Sequence, residues 1–182
     1  MIKRIPSMDG VVTERLVFRH TSMDDLSWWM GYINDAQAIR FMSLTLASEA
    51  SCREFIQRSL DRRVTDGSGL NAIIEQATGN PVGMIGLLTQ VVDGVDELEI
   101  GYHLLPSAWG KGFATEAAVA CKEFVRQQQL VPSVVSLIDH QNFASQAVAK
   151  RNGMSFEKDT VHRGTPAMVW RVAISDRSGT GT

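Results

Sequence analysis

The sequence predicts an α/β (α+β) fold in which a mixed, mainly antiparallel central sheet carries helices on both faces. The 182 residues, 44% apolar and 21% charged, are typical of one globular domain. In the first half, strand patterns separated by turn residues indicate an antiparallel meander. In the second half, strand and helix patterns alternate, which indicates crossover connections within the same sheet.

The elements of the first half follow from the alternating or helical spacing of apolar residues. They are a strand, two helices and three meander strands, predicted at 13–19, 24–34, 48–63, 71–75, 81–91 and 97–105. Ser22 is the expected N-cap of the first helix. The segments Thr78-Gly79-Asn80 and Asp93-Gly94 predict the turns between the meander strands, because Gly, Asn and Asp adopt turn conformations readily.

The second half predicts a long helix from residue 112, then a strand, a helix and two strands at 134–138, 142–152, 154–159 and 167–174. The long helix has an apolar stripe of Ala114, Ala117, Ala118, Cys121, Phe124 and Val125. Gly153 is expected to end the next helix, since glycine favours the left-handed conformation found there. We expect one domain over 11–175, with loose termini at 1–10 and 176–182.

The composition and charge exclude several classes of protein. The chain has 18 basic and 20 acidic residues. This balance indicates neither a basic surface for nucleic acid nor a polybasic membrane anchor. No stretch approaches the ~20 apolar residues of a membrane span, and no signal peptide is visible. Cys52 and Cys121 have neither metal-ligand nor disulfide-framework spacing and lie on apolar stripes. We therefore expect a cytoplasmic protein without a metal and without a cysteine nucleophile.

A strand that runs through a glycine-rich turn into a helix, over 99–117, is the most informative segment. Gly110 and Gly112 permit positive φ angles, and the helix start leaves unpaired N–H groups that suit a phosphate or pyrophosphate. Lys111 adds charge at the rim. Alternatively, the chain needs these glycines only to turn from the strand into the helix, and the turn binds no anion. The Walker pattern is absent, and Thr115 occupies the third position of a G-x-G-x-x-G fingerprint, so neither nucleotide motif fits.

The stretch PSAWGKGFATEA resembles the cofactor motif Q/R-x-x-G-x-G/A of the GNAT superfamily of N-acetyltransferases. Trp109 replaces the usual Gln or Arg, and W-G-K-G-[FY]-A-T-E-A is typical of the RimJ/RimL-like branch that acetylates ribosomal-protein N-termini. TERLVFR, TGNPVGMIGL, ELEIGYHLLP and DHQNFASQAVAKRNGM resemble further segments of that branch in the same order. The resemblance covers residues 13–174 and implies the GNAT type of mixed sheet.

The resemblance implies that an acetyl group moves from acetyl-CoA, as co-substrate, to a primary amine by direct transfer in a ternary complex. Amides of the glycine turn would bind the CoA pyrophosphate, and the edge of the preceding strand would pair with pantetheine. The implied cofactor-binding residues are His103, Leu104, Leu105, Trp109, Gly110, Lys111, Gly112, Phe113, Ala114, Thr115, Asn142 and Ser145. Asn142 is equally suited to capping its helix.

Glu99 is the candidate general base, because its strand position would turn a carboxylate toward the cleft beside the thioester. A solvated or salt-bridged carboxylate is the alternative, and Glu97 and His103 share the same face. The tyrosine that many superfamily members use as the acid is replaced by Ala149. Protonation of the thiolate therefore falls to Ser145, to water or to the ammonium formed in the reaction.

A non-catalytic CoA-binding or regulatory module is a second hypothesis, since that tyrosine is missing, and a nucleotide switch is disfavoured. The acceptor stays open between a protein N-terminus and a small-molecule amine, and the near-neutral charge argues weakly against a strongly acidic one. Either a monomer or a homodimer is compatible with the sequence. Trp28, Tyr32 and an apolar loop either line an acceptor groove or simply pack, the loop residues being Ile39, Phe41, Met42 and Leu44.

Overall fold

The computed structural model describes residues 2–42 and 47–174. Within them, one sheet is formed by strands β1 to β7, at Leu16–His20, Gly69–Glu75, Pro81–Val92, Val95–Leu104, Ser133–Ile138, Ser155–His162 and Thr165–Ala173. Helices α1 to α4 lie at Leu26–Ile33, Glu49–Thr65, Phe113–Gln127 and Phe143–Arg151. These bounds agree with the predicted elements to within a few residues.

The sheet has the order β1-β2-β3-β4-β5-β7-β6, and all neighbours are antiparallel except β4 and β5. These two parallel strands share one register pair, Glu99 with Val135. Beyond this pair, β4 continues to Leu104 and β5 to Ile138 without pairing to each other. The mixed, mainly antiparallel sheet is confirmed, and it opens between its two parallel strands.

Helices cover both faces of the sheet, as predicted. On one face, Ala117 and Cys121 of α3 pack in a cluster with Leu98 of β4. On the other, Cys52 of α2 packs in a cluster with Met84 of β3. Both thiols are buried, and burial raises the pKa of Cys121. The thiol of Cys121 therefore remains protonated in the core, which agrees with its structural role.

The amino-terminal residues differ from the expectation of a loose segment. Ile5 and Met8 are buried, and the Ile5 N–H donates to the carbonyl of Asp66 at 2.8 Å. Apolar side chains in this stretch cover sheet residues that would otherwise face water, so residues 2–10 pack against the domain. The predicted tail 176–182 and Leu44 of the apolar loop lie outside the described residues.

The helix predicted at 24–34 begins as a short 3-10 turn at Met23–Asp25. Ser22 precedes this turn, and its N–H donates to the Asp25 carboxylate at 2.8 Å. The same carboxylate accepts from Trp28 Nε1 at 2.8 Å and pairs with Arg19. Asp25 therefore ties the end of β1 to the start of α1, although it is almost fully buried.

Candidate active site

A cavity of about 1550 Å³ opens where β4 and β5 part. Drug-sized ligands usually occupy roughly 300–1,000 Å³, so this cavity has room for a large ligand and a second, smaller one. The cavity is lined by the predicted site residues Glu99, His103, Leu104, Trp109, Gly110, Gly112, Phe113, Ala114, Thr115, Asn142 and Ser145. Leu105 and Lys111 are absent from this lining.

The glycine turn leaves the start of α3 open to the cavity. Gly110 and Gly112 have φ angles of +73° and +82°, and no side chain caps the helix at Gly112. A Cβ at Gly110 would meet no atom within 4 Å. The amides of the first turn are thus free of a local acceptor, and the helix dipole adds positive potential there. This geometry can bind an anionic group.

Arg15 holds the glycine turn in place, and sequence reasoning missed it. Its Nη1 donates to the carbonyl of Lys111 at 2.9 Å, and its Nε donates to Glu116 of α3 at 2.7 Å. Thr13 also donates to Glu116, at 2.6 Å. Burial acts to raise the pKa of Glu116, but these hydrogen bonds outweigh it and hold the pKa below its ordinary value. The carboxylate therefore stays charged and fixes Arg15 at the cavity rim.

The edge of β4 differs from the prediction for the pantetheine contacts. The Leu105 N–H donates to the Val82 carbonyl of β3 at 2.9 Å. Because main-chain groups alternate sides along an antiparallel ladder, His103 also turns its backbone to β3. Only Leu104 of the three predicted residues turns its N–H and C=O toward β5. Its carbonyl accepts from Trp109 Nε1 at 2.9 Å, which leaves its N–H for a ligand.

Glu99 lies half-buried beside the point where β4 and β5 part. Its Oε2 accepts from Gln90 Nε2 at 2.6 Å, and the Leu137 N–H also donates to the carboxylate. Burial raises the pKa of Glu99 despite these hydrogen bonds. Glu97, the alternative on the same strand face, instead forms an ion pair with Arg171 at 2.7 Å. Glu99 is therefore the strand carboxylate that faces the cavity.

His103 lines the same side of the cavity as a neutral imidazole. Burial lowers its pKa to about 4. The Tyr32 hydroxyl donates to the Ala38 carbonyl at 2.9 Å and lies 3.0 Å from His103 Nδ1. With the tyrosine proton on Ala38, Nδ1 must carry the imidazole proton and donate to Tyr32. The Nε2 atom of His103 then has the free lone pair.

Tyr32 serves both roles considered for it. It is buried and stacks on Trp29 with 4.3 Å between ring centroids, yet it also lines the cavity together with Phe41 and Met42. Trp28 and Ile39 pack in the same apolar cluster without lining the cavity. Packing and groove formation are thus shared among these residues.

The start of α4 brings Asn142, Ser145 and Tyr102 together. Asn142 Oδ1 accepts the Ser145 N–H at 3.1 Å, which confirms that Asn142 caps the helix. The Tyr102 hydroxyl, which comes from β4, donates to the Ser145 carbonyl at 2.9 Å. Burial raises the pKa of Tyr102, so its hydroxyl stays protonated. Sequence reasoning missed Tyr102 because it looked for a tyrosine on α4, where the buried Ala149 stands.

The described residues, 2–42 and 47–174, contain neither a candidate metal cluster nor a helix that could span a membrane. No group of three His, Cys, Asp or Glu side chains is close enough there to hold a metal ion. None of the helices in this part of the chain combines the length and the apolar character needed to cross a membrane.

A mixed sheet that opens between two parallel strands, beside a glycine-bounded helix start, defines an acetyltransferase of the GNAT type. Residues 15–155 match the family model described as acetyltransferase (GNAT) domain. The chain belongs to this family, and the matched region spans β1 to the start of β6.

One curated protein and two solved structures are similar to this chain in sequence or fold. The uncharacterized protein YkkB of Bacillus subtilis (strain 168) is 30% identical over 151 residues, covering 81% of this chain and 86% of that protein. An acetyltransferase structure from Agrobacterium tumefaciens strain C58 is 26% identical, with a TM-score of 0.76 over 92% of this chain and 96% of its own. RimL, the ribosomal L7/L12 α-N-protein acetyltransferase, solved with coenzyme A, shares the fold at 18% identity, with a TM-score of 0.73, covering 91% and 97%.

Proposed function

We propose that this protein is an acetyl-CoA-dependent N-acetyltransferase that transfers the acetyl group directly to a primary amine in a ternary complex. The acceptor class comprises protein N-termini, as the name of RimL indicates for that protein, and small-molecule amines. The observation that carries the proposal is one cavity lined by an open helix start, a free strand-edge N–H and a half-buried carboxylate. These are the groups that hold, polarise and deprotonate the reactants.

The residues around the open helix start fit CoA. The free amides after Gly110 and Gly112 are suited to the pyrophosphate, and Arg15 adds a fixed positive charge at the rim. The unpaired edge of β4 at Tyr102 and Leu104 is suited to the amide groups of pantetheine, which would pair there like an added strand. Asn142 keeps its amide nitrogen for the same arm while its oxygen caps α4.

The chemistry assigned to β4 needs two groups. Glu99 accepts the proton from the acceptor ammonium, so that the amine nitrogen can attack the thioester carbonyl carbon. The Tyr102 N–H, which points to the same open edge of β4 as that of Leu104 and lies nearer to Glu99, donates to the carbonyl oxygen, where negative charge develops as the C–N bond forms. The C–S bond then breaks, the electron pair leaves with the sulfur, and the positively charged nitrogen loses a proton that passes to the thiolate by way of Ser145. His103 is the alternative proton acceptor, through Nε2.

Two elements, α4 and β4, supply hydroxyl groups that interact with the leaving thiolate. Ser145 of α4 remains the proposed proton donor, and Tyr102 adds a protonated hydroxyl from β4 that reaches the same helix turn. A hydroxyl with a raised pKa is a weak acid, so Tyr102 stabilises the thiolate by turning its proton from the Ser145 carbonyl to the sulfur and donating a hydrogen bond there. Together they take the place of the tyrosine that Ala149 replaces.

The test combines acetyl-CoA binding with a thiol-release assay over a panel of amines. We expect acetyl-CoA to bind and the free thiol to appear only when an acceptor amine is added, with the acetylated amine as co-product. Binding without thiol release for every amine would instead support the non-catalytic module. Absence of acetyl-CoA binding by a folded sample would overturn both. A single domain over 11–175, a cytoplasmic location and a monomer or homodimer stay predictions.

A further inference from the structure

Two arginines from distant parts of the chain meet beside Glu99. Arg62 belongs to α2, and Arg163 stands at the tip of the β6–β7 hairpin with a positive φ of 51°. Both reach the amide oxygen of Gln90, with Arg62 Nη2 at 3.5 Å and Arg163 Nη2 at 3.3 Å. The amide nitrogen of Gln90 donates to Glu99. Gln90 thus connects the candidate base to two guanidinium groups, and all four side chains line the cavity.

This corner of the cavity has an excess of positive charge. Neither Arg62 nor Arg163 forms an ion pair with any of the residues that the structure describes. Burial and the neighbouring Arg163 lower the pKa of Arg62, and burial lowers the pKa of His162 with smaller contributions from Arg163 and Arg62. Like charges held together at one site cost free energy, which an anion between them would offset.

The carboxylates near this corner do not neutralise it. Glu99 is held by Gln90 and the Leu137 N–H, and even when ionised it balances only one of the two guanidinium charges. Asp66 lies near Arg62 but does not line the cavity, and it accepts hydrogen bonds from Thr89 Oγ1 and the Ser68 N–H. Arg58, another arginine that lines the cavity, pairs with the exposed Glu54 of its own helix. The corner therefore presents guanidinium groups to whatever occupies it.

The position of the corner assigns it to the acceptor and not to CoA. The glycine turn and Arg15 lie at the start of α3, whereas Arg62 and Arg163 adjoin the carboxylate proposed to deprotonate the amine. A phosphate of CoA bound at the helix start and an anion bound by Arg163 would be separated by the pantetheine arm along β4. The two positive regions therefore serve different ligands.

We infer that the acceptor amine carries a carboxylate or phosphate group close to its nitrogen, and that Arg62 and Arg163 bind this group. The inference rests on the proposed function and adds the class of acceptor. Planar guanidinium groups suit both anions, because a guanidinium can donate two parallel hydrogen bonds. Arg163 can supply such a pair, whereas Arg62, whose Nη1 donates to the Thr89 carbonyl at 2.8 Å, adds its charge and its remaining N–H groups. The same two cations also disfavour the ammonium form of a nearby amine, which assists its deprotonation by Glu99.

The experiment compares matched amines that differ only in the anionic group. The pairs are O-phosphoethanolamine with ethanolamine, β-alanine with β-alaninamide, and the peptide amides Ser-Asp-Ala with Ser-Asn-Ala. In each pair, kcat/KM is measured by thiol release, and the readout is the ratio of the anionic to the neutral amine. The first pair reports on phosphate, and the other two report on carboxylate in a small molecule and in a peptide.

For the wild-type protein we expect a ratio of at least about tenfold, equivalent to ~1.4 kcal/mol, in at least one pair. Arg163→Ala should bring that ratio toward one, and Arg163→Glu should invert it. Arg53→Ala is the matched control, since Arg53 lies on α2 but pairs with Glu49 outside the cavity, and it should keep the wild-type ratio. Ratios near or below one in every pair would overturn the inference, and so would a ratio that Arg163→Glu leaves unchanged. In either case, acetylation of the neutral amines would still support the proposed function. Failure of all amines, neutral ones included, would remove the proposed function and the inference with it.

Discussion

At the scale of single residues, Glu99 is distinguished from its neighbours by what surrounds it. The two other candidates for proton acceptance on β4 have different constraints. Glu97 forms an ion pair with Arg171, and the Nδ1–H of His103 donates a hydrogen bond to the Tyr32 hydroxyl. Glu99 combines a raised pKa with exposure to the cavity. A carboxylate with a raised pKa is a stronger base once ionised, which suits it to an ammonium proton.

The pH dependence of kcat/KM tests this assignment. Only ionised Glu99 accepts a proton, so activity should rise with pH through a pKa above the ordinary value for a glutamate. Glu99→Gln should lower kcat by roughly 10²–10⁴-fold and abolish this acidic limb, while acetyl-CoA affinity changes little. His103, with a pKa of about 4, is already neutral where the limb is expected. Its titration therefore would not produce the limb.

Glu97→Gln is the matched control, because it makes the same change on the same strand face at a carboxylate outside the cavity. It should keep the acidic limb. An acidic limb that persists in Glu99→Gln would show that the limb arises from a group other than Glu99 and would contradict the assignment.

At the scale of elements, the start of α3 depends on residues outside the helix. Gly112 supplies the left-handed turn, and Arg15 of the segment before β1 binds both the turn and Glu116. The first-turn amides keep their direction because these contacts fix the backbone on either side of them. A site made of backbone amides is insensitive to side-chain identity but sensitive to the space in front of it.

Gly110→Asp and Gly110→Asn separate charge from backbone strain. Asp and Asn tolerate the left-handed region to a similar degree, and the Cβ of either would meet no atom within 4 Å. We expect the Kd for acetyl-CoA, measured by calorimetry, to be at least about tenfold higher for Asp than for Asn, because only Asp places a negative charge beside the pyrophosphate. Pantetheine, which lacks the pyrophosphate, should bind the two variants alike. Equal acetyl-CoA affinities would mean that the phosphates bind elsewhere.

At the scale of the whole molecule, the sheet consists of two parts joined at one narrow place. β1 to β4 form one antiparallel part and β5 to β7 the other, and the single register pair Glu99 with Val135 connects them. Ser136 Oγ adds a hydrogen bond to the Ile100 carbonyl at 2.8 Å. The opening above this junction forms the cavity, so the stability of the junction and the shape of the site are linked.

Arg171 strengthens this junction from β7. It forms ion pairs with Glu97 of β4 at 2.7 Å and with Glu157 of β6, and it donates to Ser133 of β5 at 2.8 Å. Its side chain is 27% exposed and that of Glu97 is 14% exposed. This one guanidinium group of β7 therefore contacts three other strands, of which β4 and β5 lie on opposite sides of the opening.

Arg171→Met tests whether this residue stabilises the junction between the two parts of the sheet. The change keeps much of the apolar stem but leaves Glu97 without its cation, and we expect the free energy of unfolding to fall by about 1–3 kcal/mol. Urea denaturation measures it. Arg53→Met, which breaks an exposed i,i+4 pair with Glu49, is the control and should cost about 0.3–0.5 kcal/mol. A loss for Arg171→Met no greater than that of the control would contradict the role.

Much of the fold was determined by the sequence alone, because periodicity and turn residues act over short separations. Alternating apolar residues placed β4 and its face, and Asn142 and Gly153 marked both ends of α4. The glycine turn was equally readable, since glycine is needed where a left-handed turn meets a helix start. Segment order, read through the resemblance, predicted the GNAT architecture.

Only the tertiary structure decided which distant groups meet. Tyr102 reaches Ser145, Arg15 reaches Glu116, and Arg163 joins Arg62 at Gln90 through contacts that span 43, 101, 73 and 28 residues. Such pairings follow from strand register, the parting of β4 and β5 and the path of a hairpin, and no local spacing encodes them. The chain's net charge of −2 likewise concealed the positive corner beside Glu99. Net charge sums over the whole chain, whereas an acceptor meets only the charges that folding brings within a few ångströms of it.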